Sequence, residues 1–207
     1  MRNILMFIMI LIICGSCGAV VLIDQNTRNG SFETGQWNPW SVHSGLVLIN
    51  DPLFASDGLY YIKLATTTGR EHISQGKIST EKNIGSVFIF PVDVRNGVNP
   101  FDQLDVWVGG RTYDGEFVYG AEYNMFDIPA EAANTWVTIT GTKTFSAADW
   151  QELDVSTLSF GIQFSKDNWI NGELLEGFLD NVVLMQIPEP MSVLLFGLGI
   201  LALKRRV

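Results

Sequence analysis

The stretch Phe88-Ile89-Phe90-Pro91-Val92-Asp93-Val94-Arg95 indicates the fold class of this chain. Apolar side chains occupy every second position of the stretch, and Asp93 and Arg95 fall on the opposite face. A period of two is typical of a β-strand with one buried face, whereas an amphipathic helix has a period of 3.6. The stretch therefore predicts a half-buried strand.

The same alternation recurs along the chain, and turn dipeptides such as Asp57-Gly58 and Asn96-Gly97 separate the segments. Only residues 147–153 have a helical pattern. Many short strands with almost no helix between them favour an all-β, antiparallel β-sandwich of the jelly-roll type. The further strands are predicted at residues 45–49, 60–65, 72–75, 104–108, 117–125, 136–140, 158–165 and 178–185.

The first nineteen residues have the pattern of a signal peptide. Arg2 supplies a positive start, residues 4–13 are an unbroken apolar run, and residues 15–19 are small enough for cleavage by signal peptidase. The pattern therefore predicts that the protein is exported. A transmembrane helix and a lipoprotein lipidated at Cys17 are the alternatives, but ten apolar residues are short for a span.

The last twenty residues combine three ordered elements: Pro188-Glu189-Pro190, an apolar run at 191–203, and the basic cluster Lys204-Arg205-Arg206. As a helix the run would reach about 20 Å, less than the hydrocarbon core of about 30 Å. The basic cluster would stay on the cytoplasmic side, which places the body on the far side of the membrane.

This C-terminal arrangement resembles the PEP-CTERM sorting signal of Gram-negative bacteria. The resemblance implies transient insertion in the inner membrane, processing by an exosortase-type membrane protease, and release to the cell surface or the extracellular space. An ordinary tail anchor is the alternative.

The body between the two signals, residues 20–187, is long enough for one domain with a substantial core. Both cysteines, Cys14 and Cys17, precede it, so it has no disulfide, thiol nucleophile or thiolate metal site. It holds nine basic and twenty-one acidic residues, a net charge near −12. Nucleic acids are poor partners for such a body, and divalent cations are suitable ones.

Three segments of the body resemble galactose-binding-like jelly rolls, the sandwich used by many bacterial carbohydrate-binding modules. They are the opening residues 29–35 with Trp37 and Trp40, the turn and strand at 56–64, and the closing residues 177–184. The resemblance implies a β-sandwich body that binds a glycan, such as an exopolysaccharide of the extracellular matrix.

Flat aromatic side chains beside polar groups are the usual chemistry of glycan binding, because sugar rings present apolar C–H faces. Trp107 lies on the strand face opposite the apolar residues, and Trp169 lies in a polar loop. Tyr113 and Tyr119 flank a glycine-containing turn. These four residues are the candidate ligand-binding residues, and ordinary packing is the alternative for each.

Two acids far apart in sequence are candidate metal ligands. Glu33 follows the opening residues and Asp180 lies in the closing strand, and the first and last strands of a jelly roll are neighbours. The modules that the body resembles often hold a structural Ca²⁺ at matching places, and Ca²⁺ prefers oxygen ligands. Solvated acids at strand ends are the alternative.

No recognised catalytic motif occurs in the chain. The sequence therefore predicts a non-catalytic exported module. A secreted carbohydrate-active enzyme is one alternative, with Glu116 and Glu122 near Asp114 as its carboxylates. A structural surface protein that binds other protein chains is the other.

Overall fold

The computed structural model describes residues 19–42, 45–78, 85–111, 117–118, 124–146, 148 and 158–187. Thirteen strands and one 3₁₀ turn, Ala130–Ala133, lie in these ranges, which confirms the predicted all-β class. The strands are β1 (Val20–Ile23), β2 (Ser41–Val42), β3 (Leu46–Asn50), β4 (Tyr60–Thr66), β5 (Arg70–Gln75), β6 (Val87–Asn96), β7 (Gln103–Arg111), β8 (Phe117–Val118), β9 (Asn124–Asp127), β10 (Val137–Thr144), β11 (Ser159–Ser165), β12 (Leu175–Asp180) and β13 (Leu184–Ile187).

Several predicted features lie outside the described residues. These are the signal peptide up to residue 18, the sorting signal at 188–207, and the helix at 147–153 apart from residue 148. Within the described ranges, no helix has the length and apolar character needed to cross a membrane.

The strands form two sheets in which every described pairing is antiparallel. Sheet 1 has the order β1-β13-β6-β12-β4-β3, and β10 also pairs with β6. Sheet 2 has the order β2-β5-β11-β7-β8, and β9 also pairs with β7. Because β1 pairs with β13, the start and the end of the body are neighbours, as the sequence predicted.

Strand β6 is the centre of sheet 1. Its first part pairs with β13 and its last part with β12, while β10 follows the other side. Pro91 lies in the middle, where its carbonyl accepts a bond from the Val183 N–H across the gap between β12 and β13. The missing N–H of Pro91 faces the same gap, so the proline interrupts no ladder bond.

The prediction of a single closing strand at 178–185 is wrong. The strand is divided into β12 and β13 at Asn181, whose φ is 44°. A residue in this left-handed region cannot continue a strand, and Asn adopts the region more readily than most residues.

The core lies between the two sheets and is formed by the alternating residues that the sequence indicated. The inward side chains of β6, β7 and β11 are at most 3% exposed. They are Phe88, Phe90, Val92 and Val94 from β6, Leu104, Val106 and Val108 from β7, and Phe160, Ile162 and Phe164 from β11.

The outer surface of sheet 1 is partly covered by the segment 51–59, here called the cover segment. Its Phe54 ring packs at 4.9 Å from the Tyr61 ring and 5.0 Å from the Phe178 ring, measured between centroids. The guanidinium carbon of Arg95 lies 4.2 Å from the centre of the same ring. The indole N–H of Trp136 donates to the Phe54 carbonyl. One face of the sandwich therefore has a third, partial layer.

We expect Phe54→Ala to lower the free energy of unfolding by about 2–3 kcal/mol, because the ring loses its apolar burial and its aromatic contacts. Chemical denaturation measures the effect. Leu53→Ala is the matched control: Leu53 is 97% exposed, so its truncation should change stability by less than about 0.5 kcal/mol. Equal effects of the two substitutions would show that the cover segment is not packed.

Candidate functional site

The outer surface of sheet 2 is polar, and we call it the polar face. Three neighbouring strands contribute rows of opposed residues to it. Trp107 lies opposite Gly161, which lies opposite Ser74. The outward side chains are half-buried or exposed, with Asp105 and the glycines as the exceptions. The remaining rows consist of Asp105, Gln163 and His72, and of Gln103, Ser165 and Arg70.

The Trp107 ring packs against the neighbouring strand β11. A Cβ atom on Gly161 would collide with the indole ring of Trp107, so only glycine allows the ring to approach the β11 backbone this closely. The ring is half-buried, while the residues before and after it in β7 are core residues. The predicted position of Trp107, on the face opposite the apolar residues, is confirmed.

Asp105 lies beside Trp107 on the same face and is only 6% exposed. Its Oδ2 accepts hydrogen bonds from the Gln163 side-chain amide at 3.0 Å and from the Ser165 hydroxyl at 3.1 Å. Its Oδ1 is buried and has no hydrogen-bond partner among the described residues. Leaving a buried acceptor unpaired costs about 1–3 kcal/mol. The described residues supply no donor for this oxygen.

The other aromatic candidates differ from Trp107. Trp169 is half-buried, packs against the core and touches Gly69, and its indole N–H donates to the Glu173 carbonyl at 3.3 Å. It lies at the end of the sandwich rather than beside Trp107. Tyr113 and Tyr119 lie outside the described residues.

A second polar cluster, formed by Ser56, Asp93 and Asp180, connects the cover segment to sheet 1 through hydrogen bonds. Asp93 and Asp180 are directly opposed on β6 and β12, and the Ser56 hydroxyl lies 2.9 Å from Asp93 Oδ2 and 3.0 Å from Asp180 Oδ2. Asp180 Oδ2 also accepts the backbone N–H groups of Ser56 and Asp57. A hydroxyl has one proton, so it can donate to only one of the two carboxylates. Burial raises the pKa of Asp180 to about 6, although the hydrogen bonds from Asn181, Asp57 and Ser56 lower it.

Glu33 holds the other end of the same turn. Its Oε1 accepts hydrogen bonds from the backbone N–H groups of Leu59 and Tyr60, each at 2.8 Å. Glu33 and Asp180 therefore meet at one turn, the 56–60 segment, although 147 positions separate them in the sequence.

These contacts do not fit a Ca²⁺ site as they stand. Calcium takes six to eight oxygen ligands, whereas Glu33 and Asp180 here face N–H and O–H donors. In the described part of the chain, no group of three or more His, Cys, Asp or Glu residues could hold a metal ion. The two acids act here as acceptors for the turn, and calcium binding at them stays a prediction.

The sequence alone did not identify Asp105, Gly161, Ser56 or Asp93 as site residues. A signal for Asp105 exists, because it shares the outward face of β7 with Trp107 at a spacing of two. Gly161 can be linked to Trp107 only through the register between β7 and β11, which a single sequence does not define.

Comparisons with known proteins identify the fold. No protein-family model and no curated protein sequence matches the chain. Among solved structures, the CBM22-1 xylan-binding domain of Xyn10C from Paenibacillus barcinonensis is similar to this chain, with a TM-score of 0.56 and 15% identity. The match covers 84% of this chain and 98% of that domain.

Two further solved structures show the breadth of the fold. A xylanase 10B structure from Clostridium thermocellum, comprising CBM22-1 and GH10 modules with xylohexaose, matches with a TM-score of 0.54 and 11% identity, over 80% of this chain and 28% of that one. A cyclase from Fischerella sp. TAU matches with a TM-score of 0.52 and 15% identity. That match covers 83% of this chain and 98% of the cyclase chain. At such identities the similarity shows the fold: an antiparallel β-sandwich that carbohydrate-binding modules also adopt.

The raised pKa of Asp180 predicts a pH dependence of stability. The folded protein binds this proton more tightly than the unfolded chain, so the free energy of unfolding falls as the pH rises from about 4 through about 6. The wild type should gain about 2 kcal/mol relative to Asp180→Asn between pH 7 and pH 4. Urea denaturation at several pH values measures the difference. Asp57→Asn is the control, since Asp57 is an exposed acid of the same turn.

Thermal melts test the predicted calcium site. The melting curves of the wild type in excess calcium and in chelator should differ if Glu33 and Asp180 bind Ca²⁺, and the difference should disappear in Asp180→Asn and in Glu33→Gln. Superimposable curves would exclude the predicted calcium site. A pH difference that persists unchanged in Asp180→Asn would assign the titration to another group.

Proposed function

We propose that this protein binds a polysaccharide on its polar face. The observation that carries the proposal is the half-buried Trp107 ring, packed against Gly161 beside an oxygen of Asp105 that has no partner among the described residues. A flat indole offers a stacking surface to the C–H face of a sugar. The polar groups around it offer hydrogen bonds to the hydroxyl groups at the edge of the same sugar.

The hydrogen-bonding groups of the polar face suit a hydroxylated ligand. Asp105 uses one of the two amide protons of Gln163, which leaves the amide carbonyl and the second proton for a ligand. Ser165 is fixed by the same carboxylate. A ligand hydroxyl is the kind of donor that the buried Asp105 Oδ1 lacks among the described residues.

The two outer surfaces differ in a way that favours this face. The cover segment occupies the outer surface of sheet 1 with Phe54, whereas most described outward side chains of sheet 2 are half-buried or exposed. The net charge of the body favours a neutral glycan over an acidic one, because like charges repel. One structural neighbour is a xylan-binding domain, which is consistent with this class of ligand.

The setting that we propose follows from the two chain ends. The protein is exported through its signal peptide, sorted to the cell envelope by the PEP-CTERM-like signal, and associated there with exopolysaccharide or matrix without catalysing a reaction. The carboxylates of the enzymatic alternative, Asp114, Glu116 and Glu122, lie outside the described residues, and no described feature favours that alternative.

We expect Trp107→Ala to weaken polysaccharide binding by about 1–3 kcal/mol while the melting temperature stays nearly unchanged, because a half-exposed ring adds little to the core. A glycan array with the purified protein, followed by calorimetry on the best ligand, measures the affinity. Product formation on the array would favour the enzyme instead.

Trp169→Ala is the matched comparison for Trp107→Ala. Since Trp169 packs against the core and Gly69, its truncation should lower the melting temperature and leave polysaccharide affinity unchanged. A loss of affinity in Trp169→Ala alone would move the site to the end of the sandwich.

The sorting proposal predicts the ends of the mature protein. We expect intact mass spectrometry of surface material from the native host to show a protein without roughly the first nineteen residues and without residues 191–207. Recovery of the complete C-terminus in all surface-bound protein would contradict the exosortase proposal.

A further inference from the structure

Strand β3 (Leu46–Asn50) is the last strand of sheet 1, and among the described residues it pairs only with β4. We call its other side the free edge. Two hydrogen bonds beside the strand show which main-chain groups face β4. At one end the Ala65 N–H donates to the Gly45 carbonyl at 2.8 Å, and at the other the Asp51 N–H donates to the Leu59 carbonyl at 3.0 Å. Positions 45 and 51 therefore bond to the β4 side.

Main-chain groups alternate in direction along an antiparallel strand. The odd-numbered positions of β3 therefore bond to β4, and the N–H and C=O groups of Leu46, Leu48 and Asn50 face the free edge. No hydrogen bond from another described residue satisfies these groups. A row of unpaired main-chain donors and acceptors is a template for another strand.

The free edge lacks the protection that the other described edges have. Proteins protect edge strands with short length, bulges, charged residues or proline. Strands β2 and β8 have two residues each, and β1 has a register irregularity between Val21 and Ile23. Strands β9 and β10 carry Asp127 and Lys143. By contrast, β3 pairs with β4 in unbroken register over five residues, and residues 45–50 include no charged residue and no proline.

The free edge is complementary to a second copy of itself. In an antiparallel pair of two β3 strands centred on Leu48, position 46 of each copy lies opposite position 50 of the other. The outward main-chain groups then meet and form about six hydrogen bonds. On the outer surface Val47 lies opposite Ile49 of the other copy, and on the core side the two Leu48 side chains are opposed. Such apolar cross-strand pairs stabilise a sheet.

Charge also permits two copies to meet at this edge. The net charge of the body, near −12, keeps copies apart at most surfaces. At the free edge the nearest charge on the outer surface is Lys63, which lies opposite Val47 on β4 and forms an ion pair with Glu176. Val47 is 52% exposed and Ile49 is half-buried, so pairing also removes apolar surface from water.

We propose that the free edge is a dimerisation surface, at which the β3 strands of two copies pair antiparallel and join the two copies of sheet 1 into one continuous sheet. Directly opposed residues of a sheet point to the same face, so both copies carry their polar faces on the same side. The pairing itself does not depend on polysaccharide binding. If the polar face binds polysaccharide as proposed above, the dimer presents two such faces to one polymer.

Sedimentation velocity of the purified protein measures the association. One strand pair is a small interface, below about 1,200 Å², so we expect a dissociation constant of roughly 10–100 μM. Val47→Lys should weaken the association about tenfold or more, because an apolar contact is lost and the two introduced charges lie about 7–8 Å apart. Val20→Lys is the matched control: Val20 is 49% exposed on the β1 edge of the same sheet, so the equilibrium should stay unchanged.

Hydrogen exchange of the main-chain N–H groups locates the interface. In the dilute monomer, Leu48 and Asn50 should exchange faster than Val47 and Ile49, whose N–H groups bond to β4. At protein concentrations of about 500 μM, exchange at Leu48 and Asn50 should slow at least about threefold, because the dimer is the main species. Exchange at Val47 and Ile49 should not depend on concentration in this way.

Three outcomes would overturn the proposal. One is a wild type that stays monomeric up to about 500 μM, well above the expected dissociation constant. Another is a dimer that persists in Val47→Lys or leaves exchange at Leu48 and Asn50 unchanged, since the copies would then meet at another surface. The third is slow exchange of these two groups in the dilute monomer, which would show that a segment of the same chain already occupies the edge. Since Val47 is exposed, Val47→Lys should fold normally.

Discussion

The Ser56 hydroxyl joins two carboxylates on neighbouring strands, and the covered surface of sheet 1 is built around this contact. Asp93 and Asp180 would repel each other across the β6–β12 pair if they faced only one another. The N–H groups of Ser56 and Asp57 donate to Asp180, while the side chains of Thr138 and Asn181 donate to Asp93. In return the carboxylates hold the segment that carries Phe54. The contacts that satisfy the two carboxylates therefore also hold the apolar cover segment on sheet 1. A change in either one affects the other.

The covering of sheet 1 explains why sheet 2 carries the candidate binding surface. A sandwich has two outer faces, and both could in principle bind a ligand. Phe54, Tyr61 and Phe178 pack together on one of them and convert it into a small additional core. On the other face, Gly161 lets the Trp107 ring approach the β11 backbone, and polar side chains surround this ring among the described residues.

The sequence predicted the strands with strict alternation well, because burial of one face imposes a period of two. It also placed Trp107 correctly, since that residue interrupts an apolar series. It did not predict the division of the closing strand, because the alternating pattern continues past Asn181 and only the backbone conformation there ends the pairing. The sequence also did not indicate that Glu71 is buried. The inward direction of this side chain depends on the register of β5 against β11, which is a long-range property.

The pairing of Val20 with Gln186 has a further consequence for how this body can be connected to other chains. The first and last strands of the body lie side by side in sheet 1, the sheet opposite the polar face. A domain with adjacent ends can be inserted into a loop of a host protein, or circularly permuted through a short linker, without disturbing its interior. A tether at these adjacent ends would hold the sandwich by sheet 1, the sheet that does not carry Trp107.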